Sequence, residues 1–270
     1  MGDPDCIAFL QEALPRLGLR WQGFRKVYGQ VCKRLRRRMK QVGIEGFAAY
    51  RKRLETHPEE WTVLDGLTHI TISRFFRDKS VFEALERRVL PDIAARAEAE
   101  KRQARFWSAG CASGEEPYPL KILWDLAIVP AFPNVECAVV ATDVDETVLK
   151  RAHKGCYTRG SLRELPDVLL HQGFERSGGL FCVRRRHREG VAFLSQDLRS
   201  EAPEVLFDLI LCRNVAFTYF EPPLQAEALD RLLDRLSRPG YLVIGAQERL
   251  THEASGLVPL SGVPGIFHWS

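Results

Sequence analysis

Leu10, Leu14 and Leu17, followed by Val27, Val31, Leu35 and Met39 at a strict four-residue step, put the apolar side chains of the early chain on helical faces. Basic residues fill the remaining faces, so residues 1–70 are predicted to form a small all-helical domain. Gly43 and Gly46 end the second helix, residues 47–54 resume a short one, and His57-Pro58 turns the chain. Residues 71–104 read as a linker helix region, with a long helix over 81–99 and a charged stretch over 98–105. Beyond residue 105 the texture changes to short apolar runs alternating with helical segments. RFWSAG, ECAVVATD, VAFLS, FDLILC and YLVIG read as strands, and 117–127, 146–153 and 224–236 as helices. That order predicts a parallel sheet wrapped by helices, an α/β doubly wound domain over 105–270. LVPL and GIFHW, separated by SGVP, predict a closing antiparallel hairpin. The stretch near 161–190 interrupts the alternation and predicts a small β insertion.

Composition narrows the class. Hydrophobic residues at 45% and charged residues at 27% mark a globular chain, and no run approaches the ~18 apolar residues that a membrane span needs. The N-terminus has neither the order of a secretory signal nor a hydroxyl at position six for myristoylation. Seven cysteines lie scattered with no CxxC, and no HExxH pair occurs, so the chain is expected to be cytoplasmic and reduced, with no metal. Charge is the uneven property. From Arg20 to Arg53 there are 12 basic residues against one acid, Glu45. Such a segment attracts an acidic partner or nucleic acid. No aromatic interleaving or recognition-helix pattern accompanies it, which places nucleic acid behind an acidic protein partner. Charge reversal at Arg34, Arg37 and Arg38 would separate docking from a merely solvated face.

Candidate chemistry concentrates where strands are predicted to end. In WSAGCASGEEPY, Gly110 and Gly114 let backbone approach a ligand at the carboxyl edge of the sheet. The spacing is GxxxG, not GxGxxG, and Glu115 and Glu116 stand where a dinucleotide fold offers amides to phosphate. The acids either complement a helix dipole or favour a cationic, phosphate-free nucleoside such as S-adenosylmethionine. In ATDVD, one aspartate can accept from ribose hydroxyls and the other can cap the next helix; Asp143, nearer the strand tip, is assigned the ribose. Asp197-Leu198 follows VAFLS, where an adenine amino group could find an acceptor. Asn214 in CRNV is either pocket-facing or a turn former.

Together, ITISRFFRD, WSAGCASGEEPY, ATDVDETVLKRAHKGCY, FDLILCRNV and YLVIGAQERL resemble the CheR-type chemoreceptor glutamate methyltransferases over nearly the whole chain. The resemblance implies a small helical domain followed by a class I methyltransferase sheet, S-adenosylmethionine as cofactor and S-adenosylhomocysteine as product. It also implies an acidic protein acceptor such as a chemoreceptor cytoplasmic helix, and a monomer that does not insert in membranes. It carries cofactor roles to Thr71, Ser73, Arg77, Glu115, Asp143, Asp197, Leu198, Asn214 and Val215, and acceptor-side roles to Arg77 and Tyr219; Arg77 could instead pair with a helix acid. The chain departs from the family pattern with Thr71 for Asn, Ser73 for Thr, Asp197 for Asn, and one extra residue between Val215 and Tyr219. A methyltransferase acting on another protein or a small molecule, or a regulator that binds the cofactor without turnover, is the competing expectation.

Overall fold

A computed structural model describes residues 3–71, 73–250 and 256–269. The chain divides into two compact units. The first comprises residues 1–70 with 218–225, and the second comprises 71–217 with 226–270.

Five helices build the first unit: α1 (Pro4–Ala13), α2 (Trp21–Phe24), α3 (Tyr28–Gln41), α4 (Phe47–Thr56) and α5 (Glu59–Thr68). Asp3 caps α1 by accepting from the Cys6 amide, and Pro4 enters at the first helical position. The four-residue step lands as expected, with Val31, Leu35 and Met39 buried against a core that includes Phe9, Leu10, Phe47 and Tyr50. Phe9 and Phe47 stack with ring centres 5.2 Å apart. The segment 218–225 was not foreseen here. The Tyr219 carbonyl accepts from the Arg20 amide at 2.8 Å and the Thr218 carbonyl from Arg20 Nε at 3.0 Å. Gly23 permits this return, because a Cβ there would lie 2.3 Å from the Thr218 oxygen.

At the centre of this unit sits a carboxylate. Glu60 is 1% exposed and accepts from Arg38 (2.8 and 2.9 Å), Arg53 (2.9 Å) and Tyr50 (2.9 Å). The Arg38 hydrogen bonds, with those of Arg53 and Tyr50, overcome the opposing effect of burial and hold the carboxyl down to about 2. The basic segment is therefore not uniformly free. Arg38 and Arg53 serve Glu60, Arg34 donates to the Leu67 and His69 carbonyls at the end of α5, and Arg36 pairs with Asp3. Lys33, Arg37 and Lys40 remain exposed, and their spacing puts them on one face of α3.

The second unit carries a seven-stranded sheet ordered β6-β2-β1-β7-β8-β10-β9. Its strands are β1 (Ala104–Ala109), β2 (Cys137–Asp143), β6 (Val191–Ser195), β7 (Phe207–Cys212), β8 (Leu236–Ile244), β9 (Leu257–Pro259) and β10 (Ile266–Trp269). The first five run parallel, and β10 inserts antiparallel between β8 and β9 as the hairpin pattern predicts. Every residue of β7 is buried, as expected of a central strand covered on both faces. Helices α7 (Leu90–Ala99), α8 (Pro117–Leu123) and α9 (Glu146–Lys154) pack on the sheet's strands; α6 (Lys79–Ala84) precedes α7, α10 (Asp167–Gly173) lies in the insertion, and α11 (Ala216–Tyr219) and α12 (Pro222–Leu233) contribute residues to both units. A π turn, Leu85–Val89, joins α6 to α7, so the long helix predicted over 81–99 is one interrupted rod. Residues 71–104, expected to link two domains, pack as part of this second unit. The insertion is a three-stranded sheet of β3 (Cys156–Tyr157), β5 (Leu180–Val183) and β4 (Phe174–Ser177). Gly178 and Gly179, both at positive φ, close its two-residue hairpin.

The expectation that the cysteines are all reduced is corrected. Cys6–Cys32 joins α1 to α3, and Cys156–Cys182 joins directly opposed residues of β3 and β5. Both pairs are separated by 26 residues, beyond the reach of any local motif. Asp3 lies with Cys6 and Cys32 in a group whose ligand atoms fall within 4.8 Å, with the two sulfurs engaged in the disulfide. Among the described residues no helix is long and apolar enough to cross a membrane.

Replacing Glu60 with Gln should destabilise the chain by about 2 kcal/mol, below the fully buried case because Arg38 and Arg53 keep 26% and 24% of their side-chain surface in water. In the wild type this contribution is complete above pH 4.5 and is lost as the pH falls toward about 2. Urea unfolding of the full chain at pH 7, 4 and 3 measures both, and E60Q should show the flatter dependence.

Candidate active site

The carboxyl ends of β1, β2 and β7 are tied together by backbone before any side chain contributes. The Gly110 and Cys111 amides both donate to the Thr142 carbonyl, at 2.8 and 2.9 Å. Gly110 has φ +77°, and a Cβ on it would lie 2.5 Å from Val215 Cγ2, so the glycine is required by the close passage of the chain after β7. Asp143 then organises the loops, its two oxygens accepting from the Ala112 amide at 2.8 Å and the Asp145 amide at 3.0 Å. Asp145 caps α9 by accepting from the Thr147 amide at 2.8 Å. The two aspartates thus divide, with Asp143 at the rim and Asp145 at the cap.

Glu115 and Glu116 have opposite surroundings. Glu116 accepts from Ser108 Oγ at 2.8 Å and from Arg213 Nη1 at 3.1 Å; burial raises its carboxyl above the ordinary range, and Arg213 opposes that rise. Glu115 is 4% exposed, and its Oε2 is buried without a hydrogen-bond partner. Burial pushes its carboxyl up to about 7, with Arg151 drawing it down and Asp143 adding to the rise. Beside them the Cys111 thiol is held protonated by burial and then by the fields of Asp143, Glu116 and Glu115. This rim disfavours phosphate and leaves one Glu115 oxygen without a hydrogen-bond partner.

The CRNV segment is held from two sides. Arg213, whose side chain is 3% exposed, donates to Asp78 Oδ2 at 2.7 Å and to the Arg77 carbonyl at 2.8 Å, as well as to Glu116. Phe76 and Asp78 both have φ of +61°, a conformation that non-glycine residues adopt only when surrounding contacts impose it. Asn214, at φ +58°, donates its amide to Glu248 Oε2 at 2.8 Å, and the Gly245 amide meets the same oxygen at 2.6 Å. From the sequence, Glu116 has a part only together with Glu115 and Arg213 only as a polar neighbour of Asn214, and Ser108 and Glu248 have no role, although Glu248 stands in the AQERL motif. Buried charges within strand-end motifs were the available signal.

The other expected residues fall as follows. Arg77 is exposed, and Thr71 and Ser73 are half-buried around Ile72, which lies outside the described residues. Asp197 is engaged by Arg199 in a paired contact, 3.0 and 2.7 Å, and Leu198 is buried with its carbonyl taken by Arg231. Tyr219 belongs to the first unit, where its ring packs on Phe24 with centres 5.0 Å apart. The segment between Val215 and Tyr219 forms the single helical turn α11.

A sulfonium nucleoside fits these residues. Glu115 would set a carboxyl group with one unbonded oxygen against the positive charge, Asp143 would face the ribose hydroxyls, and no phosphate would have to be accommodated. Residues 71–262 match the family described as CheR methyltransferase, SAM binding domain, and residues 28–64 match CheR methyltransferase, all-alpha domain. The chain is 34% identical over 196 residues to a chemotaxis protein methyltransferase of Listeria monocytogenes, covering 72% of each chain. It is 33% identical over 245 residues to chemotaxis protein methyltransferase 1 of Pseudomonas aeruginosa, covering 88% of each, and 32% identical over 230 residues to the chemotaxis protein methyltransferase of Escherichia coli, covering 82% of this chain and 77% of that one. The anionic strand-end rim and the match across both units lead to one conclusion: the chain belongs to the CheR methyltransferase family, and its cofactor is S-adenosylmethionine.

Proposed function

We propose that this protein methylates glutamate side chains of a chemoreceptor, transferring the methyl group to a carboxylate oxygen. The observation that supports the carboxylate acceptor is the lack of a histidine or an ionised thiol in the strand-end segments. Segments 107–118, 141–147 and 212–216 contain no histidine, and the Cys111 and Cys212 thiols are pushed up, chiefly by burial, and stay protonated. A nucleophile must then arrive already ionised, as a glutamate does at neutral pH. Bound S-adenosylmethionine supplies an electrophilic methyl group on sulfur. The work left to the protein is positioning and exclusion of water.

Within that division, Glu115 neutralises the cofactor's positive charge and Asp143 holds its ribose hydroxyls. Asp197, Leu198, Asn214 and Val215 form the remainder of the proposed cofactor wall, with Thr71 and Ser73 contributing hydroxyls. Arg77 steers the acceptor carboxylate, and Arg213 positions it by gripping its carbonyl and the neighbouring Asp78. The exposed Lys33, Arg37 and Lys40 face of α3 attracts an acidic acceptor segment.

Three outcomes test this reading. Because a carboxylate held at about 7 must be ionised to meet a cation, affinity for S-adenosylmethionine should rise as the pH passes upward through that value. In calorimetry, E115Q should flatten the profile and bind about tenfold more weakly at pH 8. R77A should lower methylation of receptor-bearing membranes by about a hundredfold while cofactor affinity stays within about threefold; a parallel collapse of both would assign Arg77 to the cofactor instead. Reversing Lys33, Arg37 and Lys40 to Glu should slow alkali-labile labelling of those membranes by about tenfold at low salt, with cofactor affinity unchanged. Label appearing in a small molecule, or in no acceptor, would overturn the assignment.

A further inference from the structure

The carboxyl ends of the parallel strands hold the active site, but a second cleft opens at their amino ends. It encloses about 360 Å³ where β1, β7 and β8 begin, and the last turn of α7 forms one side. Its charged lining is Arg96, Arg102, Arg105 and Arg238 against Glu100 and Asp208. Those acids are already committed. Asp208, 1% exposed, receives Arg102 at 2.8 and 2.9 Å and the Arg105 amide at 3.0 Å, and Glu100 also pairs with Arg102. Both lining acids face Arg102, and Arg96 is met by Asp92 just outside the lining, so among the described residues Arg105 and Arg238 are the guanidiniums left without an acid.

The guanidiniums of the cleft are not all loose. Arg238 lies over the Trp269 ring with Cζ 3.7 Å from its centre, and Arg96 is fastened to the Pro239 carbonyl at 2.7 Å and to Asp92 at 3.2 Å. Arg96 Nη2 is buried with no hydrogen-bond partner. Among the described residues, the Arg105 guanidinium makes no hydrogen bond or ion pair. Holding like charges around one cleft is unfavourable unless an anion completes it, and an unmet buried N–H costs more than an exposed one. Fixed planar forks suit an oxyanion that accepts from several directions, which is the geometry of phosphate. The volume lies near the lower bound for small-molecule sites, and Leu206 and Pro239 give it an apolar side.

We propose that this cleft binds a small phosphate-bearing molecule carrying two or more negative charges, at a site separate from the cofactor's. Pyrophosphate and ADP serve as probes in calorimetry with the full chain at low salt. Pyrophosphate is expected to bind and to quench Trp269 fluorescence as Arg238 is drawn toward it. The R105A/R238A double variant, which changes two exposed side chains, should lose at least about tenfold in affinity and keep its affinity for S-adenosylhomocysteine. Saturating S-adenosylhomocysteine should leave pyrophosphate binding in place. Absence of binding by either probe at several millimolar would overturn the proposal, as would unchanged binding in the double variant or displacement by S-adenosylhomocysteine.

Discussion

Arg213 is the interaction on which the second unit's site depends. One buried guanidinium joins the loop before α6, the turn before α8 and the segment after β7, which lie more than 90 residues apart in the chain at its longest bonds. Its charge is met by Glu116 and Asp78, its face lies 5.4 Å from the centre of the Phe82 ring, and Ser108 at the end of β1 completes Glu116. Removing either charge would leave the other buried and unpaired, which costs more than the pair gains over water. The network is thus better understood as a device that fixes geometry than as a large source of stability. It holds two residues at φ of +61° on either side of Arg77, so the position of that side chain is inherited from the clamp.

Carboxylates in three environments show how burial and partners act separately. Glu60 and Glu115 are almost equally hidden from water, 1% and 4% exposed, yet one is held at about 2 and the other at about 7. Burial acts more strongly on Glu115, and the partner set supplies the rest of the difference. Glu60 has two guanidiniums and a phenol, whereas Glu115 has an oxygen with nothing to accept from. Glu116, raised by burial, has one guanidinium and one hydroxyl as partners. A structural carboxylate is satisfied by its own chain, and a binding carboxylate is left for something else to satisfy.

Much of the architecture was legible because it follows from local periodicity. The α3 stripe, the fully buried β7 run and the closing hairpin each express a single repeat, and the GxxxG loop and ATDVD tip mark the carboxyl edge. What escaped was set by distance. Two disulfides spanning 26 residues each leave no spacing to recognise, and the return of residues 218–225 onto the helical unit depends on the missing side chain of Gly23. The basic segment misled in a different way. Counting charges from Arg20 to Arg53 treats them alike, but Arg34, Arg38 and Arg53 are consumed by carbonyls and by Glu60. Only a contact, and no composition, tells a docking cation from a structural one.

The sheet is electrostatically two-ended, and that polarity explains the choice of cofactor. Parallel α/β folds aim helix N-termini at the carboxyl edge, which ordinarily favours phosphate. Here α8 is seven residues long and is preceded by Glu115 and Glu116, with Asp143 and Glu248 tied into the adjoining loops. Glu115, Glu116, Asp143 and Glu248 gather at this edge beside the buried Arg213, so the edge that would hold a pyrophosphate in a dinucleotide fold presents carboxyl groups there, in keeping with a cationic cofactor. At the amino edge the sign is reversed by Arg96, Arg102, Arg105 and Arg238. A ligand bearing phosphate and a ligand bearing a sulfonium are therefore directed to opposite ends of the same strands by side-chain charge, with the backbone of the fold unchanged.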